Sequence, residues 1–312
     1  MASEAADLQD EIDQLQSRLK EARARLKSLD ASTVKHHDIP DSLGSPTHFL
    51  LLLSDSALPL GSFAFSSGLE SYLAHSRGGV PGRAAGSMSS FLPSSVSSLA
   101  STTLPFVLAA HRDPTRLADL DDELDAAIMC AVGRRASVAQ GRALLSIWER
   151  SFRSSSSSPT AMTPVSGSAA EWADTLRDFS ALLRSASSSS AADRRDGGGA
   201  DDETLLLLPA ASAHLAPLFG ALCRVLGLGL RQTAYIFVLG HVKALLSAAV
   251  RASMFGPYQA QKVLAGEQVQ RMIDVVIERE WFTPVEEAGQ TVPVLDLWIG
   301  RHELLYSRIF NS

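Results

Sequence analysis

The chain has 312 residues, of which 46% are hydrophobic, so it is long enough to bury one large core or two modest ones. Its formal net charge of −6 disfavours a general nucleic-acid binder, because such proteins are usually basic. The two cysteines, Cys130 and Cys223, lie far apart in apolar surroundings. This predicts no disulfide framework and favours a reducing compartment, so we expect a cytoplasmic protein.

Residues 1–46 are predicted to form a charged helix followed by a linker. Apolar residues at heptad spacing between residues 4 and 29 are typical of a short coiled coil. Two interpretations stay open: a dimerising or docking helix, and an amphipathic appendage that folds back on the body. The acidic start predicts no signal peptide. The uncharged stretch 204–223 contains Pro209 and Pro217, which favours a buried segment over a membrane span.

A helical hairpin with a sharp corner is predicted next. The apolar run 49–53 leads into a polar corner, and Pro59 and Gly61 predict a compact turn over residues 58–62. A second amphipathic run begins near Phe63. Gly68 within that run is costly for a helix, which suggests that close packing requires it.

The hairpin carries the first of several matches to a known family. The stretch SDSALPLGSFAFSSGLE resembles the N-terminal motif of the urease accessory protein F family, approximately D-x-A-L-P-x-G-x-F-x-x-S-x-G-L-E. The matching residues include Asp55, Pro59, Gly61, Phe63, Ser66, Gly68 and Glu70.

The middle of the chain alternates amphipathic and low-complexity segments. We predict an amphipathic helix over 117–132, a boundary at 133–135, a helix over 136–152 and a short helix over 172–183. Gly- and Ser-rich stretches near 76–101, 153–169 and 185–203 are predicted to be insertions that form mobile loops, because they bury little apolar surface.

Three further motifs resemble the same family. RRASVAQGRALLSIWE matches through Arg134, Ser137, Gln140, Gly141 and Arg142. The segment HLAPLFGALCRVLGL matches through His214, Gly220 and Gly227. The helix predicted over 232–254 is rich in small residues, which favours a central, well-buried position, and its end matches through Ala249, Arg251, Gly256 and Gln261.

The C-terminal region is predicted to contain a last long helix over 263–280, a loop over 281–292 and a tail. The tail resembles the ending of the family's eukaryotic members through Leu295, Asp296, Arg301, His302, Leu305, Tyr306, Ser307, Arg308 and Phe310. Its alternation of apolar and cationic groups favours a strip that docks on a partner. The alternative is a tail that packs on its own body.

No motif in the sequence predicts catalysis or a metal centre. There is no phosphate-binding G-x-x-x-x-G-K-[ST] loop, no G-x-S-x-G elbow, no C-x-x-C and no H-E-x-x-H. The His36-His37-Asp38 cluster is a poor preformed site, because adjacent side chains point apart on regular structure. We therefore assign no catalytic and no metal-ligating residue, and an acidic helical body without such a constellation is typical of a binding scaffold.

The sequence thus predicts an all-α helical bundle of about ten helices over residues 47–312. The family resemblance implies a non-enzymatic urease accessory protein that dimerises, binds accessory protein D (called H in some bacteria) and recruits the nickel-carrying GTPase, accessory protein G. It implies delivery of nickel to apo-urease, with no tightly bound cofactor and with nickel passing through the complex. Neither a membrane nor a nucleic acid is expected as a partner.

The motif positions provide candidate partner-binding residues. These are Asp55, Pro59, Gly61, Phe63, Ser66, Gly68, Glu70, Ser137, Gln140, Gly141, Arg142, Arg251, Gly256, Gln261, Arg301, His302, Leu305, Tyr306 and Arg308. We expect the GTPase or dimer surface on the hairpin and central helix, and the D surface partly on the tail. Two alternatives remain: a coiled-coil adaptor that depends on residues 4–29, and a cryptic hydrolase using Asp55, Glu70 and His75.

Overall fold

The computed structural model describes residues 45–77, 87–153, 168–193 and 211–311. Across these ranges the chain forms 11 α-helices and no β-strand, which confirms the predicted all-α helical bundle. The predicted N-terminal coiled coil and most of the predicted insertion near 153–169 lie outside the described residues.

Three of the helices have, in chain order, 25, 26 and 22 residues, and the others are shorter. In chain order they are α1 (Ser45–Ser54), α2 (Leu69–Arg77), α3 (Met88–Arg112), α4 (Leu117–Ala127), α5 (Ala131–Ile147), α6 (Ser168–Asp193), α7 (Leu215–Val225), α8 (Leu230–Arg251), α9 (Pro257–Leu264), α10 (Glu267–Glu280) and α11 (Val294–Arg301). Single turns of 3₁₀-helix lie at Ser62–Ala64, Pro114–Arg116, Val285–Glu287 and His302–Leu304, and a π-helical turn at Trp148–Phe152 follows α5.

Helices α3, α7 and α8 form the centre of the bundle. α3 packs against α7, α8 and α10, and α7 is buried along most of its length. The approach of α7 to α3 is close: a Cβ atom built on Gly220 would lie 2.2 Å from the carbonyl oxygen of Val107. Buried alanines on α8, including Ala234 and Ala248, confirm the predicted role of small residues in a central helix.

Two of the core helices are as long and apolar as membrane-spanning helices. In the most apolar 18-residue stretch of each helix, 67% of α3 and 56% of α8 is buried inside the protein. Such burial is the ordinary property of a helix at the centre of a globular bundle, where apolar residues cover more than one face.

The prediction of a loop-forming insertion near 76–101 is wrong for residues 88–101, which form the first half of α3. Three of the serines there are shielded from solvent. Ser95, Ser98 and Ser101 are buried, and their hydroxyl groups bond to His241, Gln290 and Thr291 on other elements. Small polar side chains can line a helix contact when each hydroxyl finds a partner, so low complexity here reflects close packing.

Several helix boundaries also differ from the prediction. α6 continues to Asp193, beyond the predicted start of the third insertion at residue 185. The break between α4 and α5 falls at residues 128–130 instead of 133–135. The helix predicted over 263–280 is two helices, because the chain turns at Gly266 before α10 begins. Helix boundaries are the feature that a sequence pattern specifies least well, because the residues at a helix end are compatible with both helix and turn.

The close approach at Gly220 gives a test of the core. We expect Gly220→Ala to lower the free energy of unfolding by about 1–3 kcal/mol, because the new methyl group must displace the α3 backbone. Gly240→Ala in α8 is the matched control, since its Cβ meets no atom within 4 Å, and it should be neutral or stabilising by up to about 1 kcal/mol. Urea denaturation of both variants measures the difference. Equal effects would contradict the close packing.

Candidate partner-binding site

The first motif begins with the predicted turn after α1. The Asp55 carboxylate accepts a hydrogen bond of 3.0 Å from the backbone N–H of Ala57, and Pro59 is exposed. Gly61 has φ of +72°, a conformation that favours glycine, and precedes the 3₁₀ turn. The next α-helix starts at Leu69, later than the predicted start near Phe63. The turn therefore extends further, and it brings the chain back across the end of α8.

Gly68 marks the point where the first motif touches the C-terminal helix. Its φ is +83°, and a Cβ atom there would lie 3.0 Å from the backbone nitrogen of Ile299 in α11. Both the backbone conformation and the lack of space require glycine at position 68. This agrees with the expectation that close packing explains the glycine. Ser66, fully buried, accepts a hydrogen bond of 3.3 Å from the N–H of Glu70 and fixes the start of α2.

The carboxylate of Glu70 holds the C-terminal segment. It accepts hydrogen bonds from the Nε2–H of His302 at 2.8 Å, from the N–H of Ile309 at 2.7 Å and from the N–H of Phe310 at 3.2 Å. His302 and Phe310 are buried. We call these four residues the C-terminal clasp. Hydrogen bonds to a carboxylate are stronger than neutral ones, so one side chain can order a tail that would otherwise fray.

Arg251, at the end of α8, completes the contact between the first motif and the tail. Its guanidinium lies over the ring of Phe310 at 4.4 Å and donates to the carbonyl of Phe63. The N–H of Asn311 donates to the carbonyl of Ala64 at 2.7 Å. Three of the motifs recognised in the sequence thus meet at one place in the fold.

The same arrangement leaves an apolar surface facing outward. Phe63, Leu304, Tyr306 and Ile309 are exposed large hydrophobic side chains, and Tyr306 is fully exposed. We call these four residues the tail surface. Arg301 and Arg308 are exposed beside it, and neither forms a salt bridge within the described part of the chain. Leu305 is half-buried. The tail therefore packs on its own body and also presents the alternating apolar and cationic groups predicted for a docking strip.

The second motif supports a buried turn before α7. The carboxylate of Asp121 on α4 is fully buried and accepts three backbone hydrogen bonds, from Ser212 at 2.6 Å, Ala213 at 2.9 Å and His214 at 2.5 Å. Gly141 on α5 lies against this turn, and a Cβ atom there would meet the carbonyl oxygen of Ala213 at 2.0 Å. The turn has no room for any other residue at position 141.

Polar side chains fix the position of His214 in that turn. Its Nε2 bonds to the Asp125 carboxylate at 2.8 Å and its Nδ1 to the hydroxyl of Ser137 at 3.1 Å. Arg134 also donates to Asp125, at 2.6 Å, and Arg142 donates to the carbonyl of Ser212 at 3.2 Å. Burial opposes ionisation of Asp125, but the hydrogen bonds from His214 and Arg134 lower the pKa of its carboxyl below the ordinary value.

The remaining candidate residues are placed differently. Gln140 accepts a hydrogen bond of 2.8 Å from the hydroxyl of Ser62, which joins the second motif to the first. Gly256 precedes α9 and Gln261 is exposed on that helix. In the described ranges no hydrogen bond or ion pair links these two residues to the clasp, so their assignment as partner contacts stays a prediction.

The role of Asp121 is not predicted by the sequence analysis, although the sequence contains a signal for it. Asp121 lies four residues after Leu117 and three before Leu124, so it falls on the buried stripe of an amphipathic helix. A carboxylate on such a stripe must be paired or hydrogen-bonded. The position of Asp121 therefore indicates that donors from another part of the chain bind its carboxylate.

The side chains named for a cryptic hydrolase are engaged with separate partners. Glu70 belongs to the clasp, His75 bonds to the carbonyl of Ser71 at 2.7 Å, and Asp55 caps its own turn. No hydrogen bond joins any two of the three in the described structure. The described ranges also contain no group of three or more histidine, cysteine, aspartate or glutamate residues arranged to hold a metal ion.

Comparisons with known proteins agree with the motifs. The sequence model of the UreF family matches residues 83–268. The chain is 34% identical to a protein of Schizosaccharomyces pombe described as an uncharacterized urease accessory protein UreF-like, over 85% of this chain and 97% of that protein. It is 30% identical to urease accessory protein F of rice (Oryza sativa subsp. japonica), over 83% and 82% of the two chains. It is 29% identical to urease accessory protein UreF of Paenarthrobacter aurescens, over 86% of this chain and all of that protein.

The clasp can be tested by hydrogen exchange at two backbone amides. We expect Glu70→Gln to speed exchange at Ile309 and Phe310 by at least about tenfold, because both N–H groups donate to the Glu70 carboxylate. Asp55→Asn, which changes an exposed carboxylate of the same motif, should leave both amides protected. Unchanged protection in Glu70→Gln would mean that other contacts hold the tail.

The hydrogen bonds to Asp125 predict a pH dependence of stability. A carboxyl group whose folded-state pKa is lowered stabilises the fold above its unfolded-state pKa, and this contribution is lost as pH falls through the folded-state value. We expect Asp125→Asn to lower the free energy of unfolding by about 1–3 kcal/mol at neutral pH. The gap from the unchanged protein should close below about pH 4.

Urea denaturation across this pH range measures the gap. Asp119→Asn, at an exposed position of the same helix, is the control and should show little effect at any pH. A gap for Asp125→Asn that does not change with pH would contradict the assignment.

Proposed function

Because this chain belongs to the urease accessory protein F family, we propose that it acts as a non-catalytic scaffold in urease maturation, and that it binds accessory protein D/H and recruits the nickel-carrying GTPase, accessory protein G. Apo-urease is the recipient of the metal in this proposal. The chain works as a homodimer within the complex, in the cytoplasm.

The tail surface is the observation that carries the assignment of the D/H contact. Its four exposed apolar side chains are large, and two of them are aromatic. Exposed apolar groups of this size, rimmed by polar residues, mark protein interaction sites, and aromatic and arginine side chains contribute most of the binding energy in such sites. The partner face should combine apolar side chains with carboxylates that pair with Arg301 and Arg308.

The clasp supports the proposal by ordering this surface before a partner arrives. A disordered tail must lose conformational freedom when it binds, which weakens affinity. Since Glu70 and Arg251 already fix residues 309 and 310, the surrounding tail residues start from a restricted arrangement. Pre-organisation of this kind increases affinity without adding contacts.

Recruitment of the GTPase requires no chemistry from the scaffold. A protein that binds one nucleotide state of a GTPase more tightly shifts the equilibrium toward that state, and the coupling is equal in both directions. Nickel is the cargo in this scheme, carried by the GTPase, and the scaffold holds no resident cofactor. The second motif contributes indirectly, because Ser137 and Gly141 hold the turn at His214.

Complementation of a gene deletion tests the proposal. Cells lacking this protein, supplied with nickel, should contain normal amounts of urease protein with little urease activity, and the intact chain should restore activity. Leu304→Ala/Tyr306→Ala should restore little activity and should bind accessory protein D/H at least about tenfold more weakly in pull-down titrations. Phe282→Ala is the matched control, because Phe282 is also a highly exposed aromatic residue but lies in the loop after α10, outside the motifs.

The outcomes separate the two parts of the proposal. Unchanged urease activity in the deletion strain would contradict a role in urease maturation. Full restoration by the double variant, with undiminished D/H binding, would leave that role intact and remove the contact from the tail surface. Point substitutions are preferable to deleting residues 295–312, because Leu295 and Phe310 are buried in the core.

A further inference from the structure

A large cavity, open to solvent, lies between helices of the bundle. Its volume is about 470 Å³, and α3, α5, α7, α8 and α11 contribute to its wall together with the first-motif turn. Small residues make the space: Gly133 and Ala136 on α5, Ala216 on α7, and Gly240 and Ala244 on α8. A Cβ atom on Gly240 would meet no atom within 4 Å, so the open space reaches the α8 backbone.

Apart from one aspartate, the polar side chains in the wall are uncharged, and several of them are hydrogen-bonded. The hydroxyl of Ser95 bonds to Nε2 of His241 at 2.9 Å, and the hydroxyl of Ser98 bonds to Oε1 of Gln290 at 2.9 Å. Burial lowers the pKa of His241 to about 4, so its imidazole is neutral at physiological pH. Asp296 is the one formally charged residue among those lining the cavity, and it is half-buried on α11.

A strap formed by residues 288–291 closes one side of the cavity. The N–H of Gly289 donates to the carbonyl of Ser101 at 3.0 Å, and the hydroxyls of Ser101 and Thr291 are 3.0 Å apart. Met129, at the corner between α4 and α5, also lines the cavity and is 94% exposed. The cavity therefore opens to solvent beside that corner, which supplies an entry path.

We propose that this cavity is a binding site for a neutral, mainly apolar small molecule whose hydrogen-bonding group meets the Ser95–His241 pair. The size falls within the roughly 300–1,000 Å³ typical of small-molecule sites, which are mostly apolar with a few placed polar groups. Anionic ligands are disfavoured, because an anion moved into this wall loses hydration and meets no cationic side chain. Ser137 and Gln140, two candidate partner-binding residues, also line the cavity, but ligand binding there does not depend on the scaffold function.

Nile red, a neutral apolar dye that fluoresces on leaving water, is the first probe. Titration of the full chain should show saturable binding at one site per chain. Gly240→Leu should weaken binding at least about tenfold, because its side chain fills the cavity. Ser247→Leu, on the same helix at an exposed position outside the cavity wall, should not. Ala136→Leu fills the cavity from α5 and should repeat the loss, which separates occlusion from a local effect on α8.

Competition identifies the chemistry of the ligand. We expect 1-decanol to displace the dye and decanoate, which has the same chain length but carries a charge, to displace it poorly. Unfolding midpoints of the variants, measured in parallel, show that the fold is retained. Dye binding that survives both filling substitutions, equal displacement by decanoate, or nickel binding that His241→Phe abolishes would each overturn the proposal.

Discussion

The carboxylate of Glu70 accepts hydrogen bonds from groups that are 232 to 240 residues away in sequence. The Arg251 side chain adds a second link between the first motif and the tail, through the carbonyl of Phe63 and the ring of Phe310. Gly68 lets α11 approach, and His302 is buried. The Arg251 guanidinium lies over the ring of Phe310. The hydrogen bonds to this half-buried carboxylate fix residues 309 and 310, and so restrict the neighbouring side chains of the tail surface.

Many of the motif residues have internal roles in the fold. Gly141 and Gly220 allow backbone to approach within a distance that no Cβ atom could tolerate, and Ser137 and His214 exchange hydrogen bonds in the second cluster. Other motif residues, such as Phe63 and Tyr306, face solvent. The motifs in this fold therefore report both on where helices touch and on what the surface presents.

The fold class and the central helices could be predicted from the sequence, because stripes such as Leu117, Leu120 and Leu124 specify a helix and its buried face. The serine-rich half of α3 could not, because its buried hydroxyls find partners on α8 and on the strap, which are distant in sequence. The three-donor site of Asp121 escaped prediction for the same reason. Local patterns specify elements, whereas the partners of buried polar groups depend on the assembled bundle.

The clasp has a consequence for the order in which the protein is made. Translation proceeds from the N-terminus, so Glu70 leaves the ribosome long before residues 302–310 are synthesised. Until then, the Glu70 carboxylate lacks its donors, Arg251 lacks the Phe310 ring, and Leu304, Tyr306 and Ile309 do not yet exist. A chain released early lacks three of the four residues of the tail surface. Under the proposed function, unfinished and truncated chains would therefore not present the docking face to a partner.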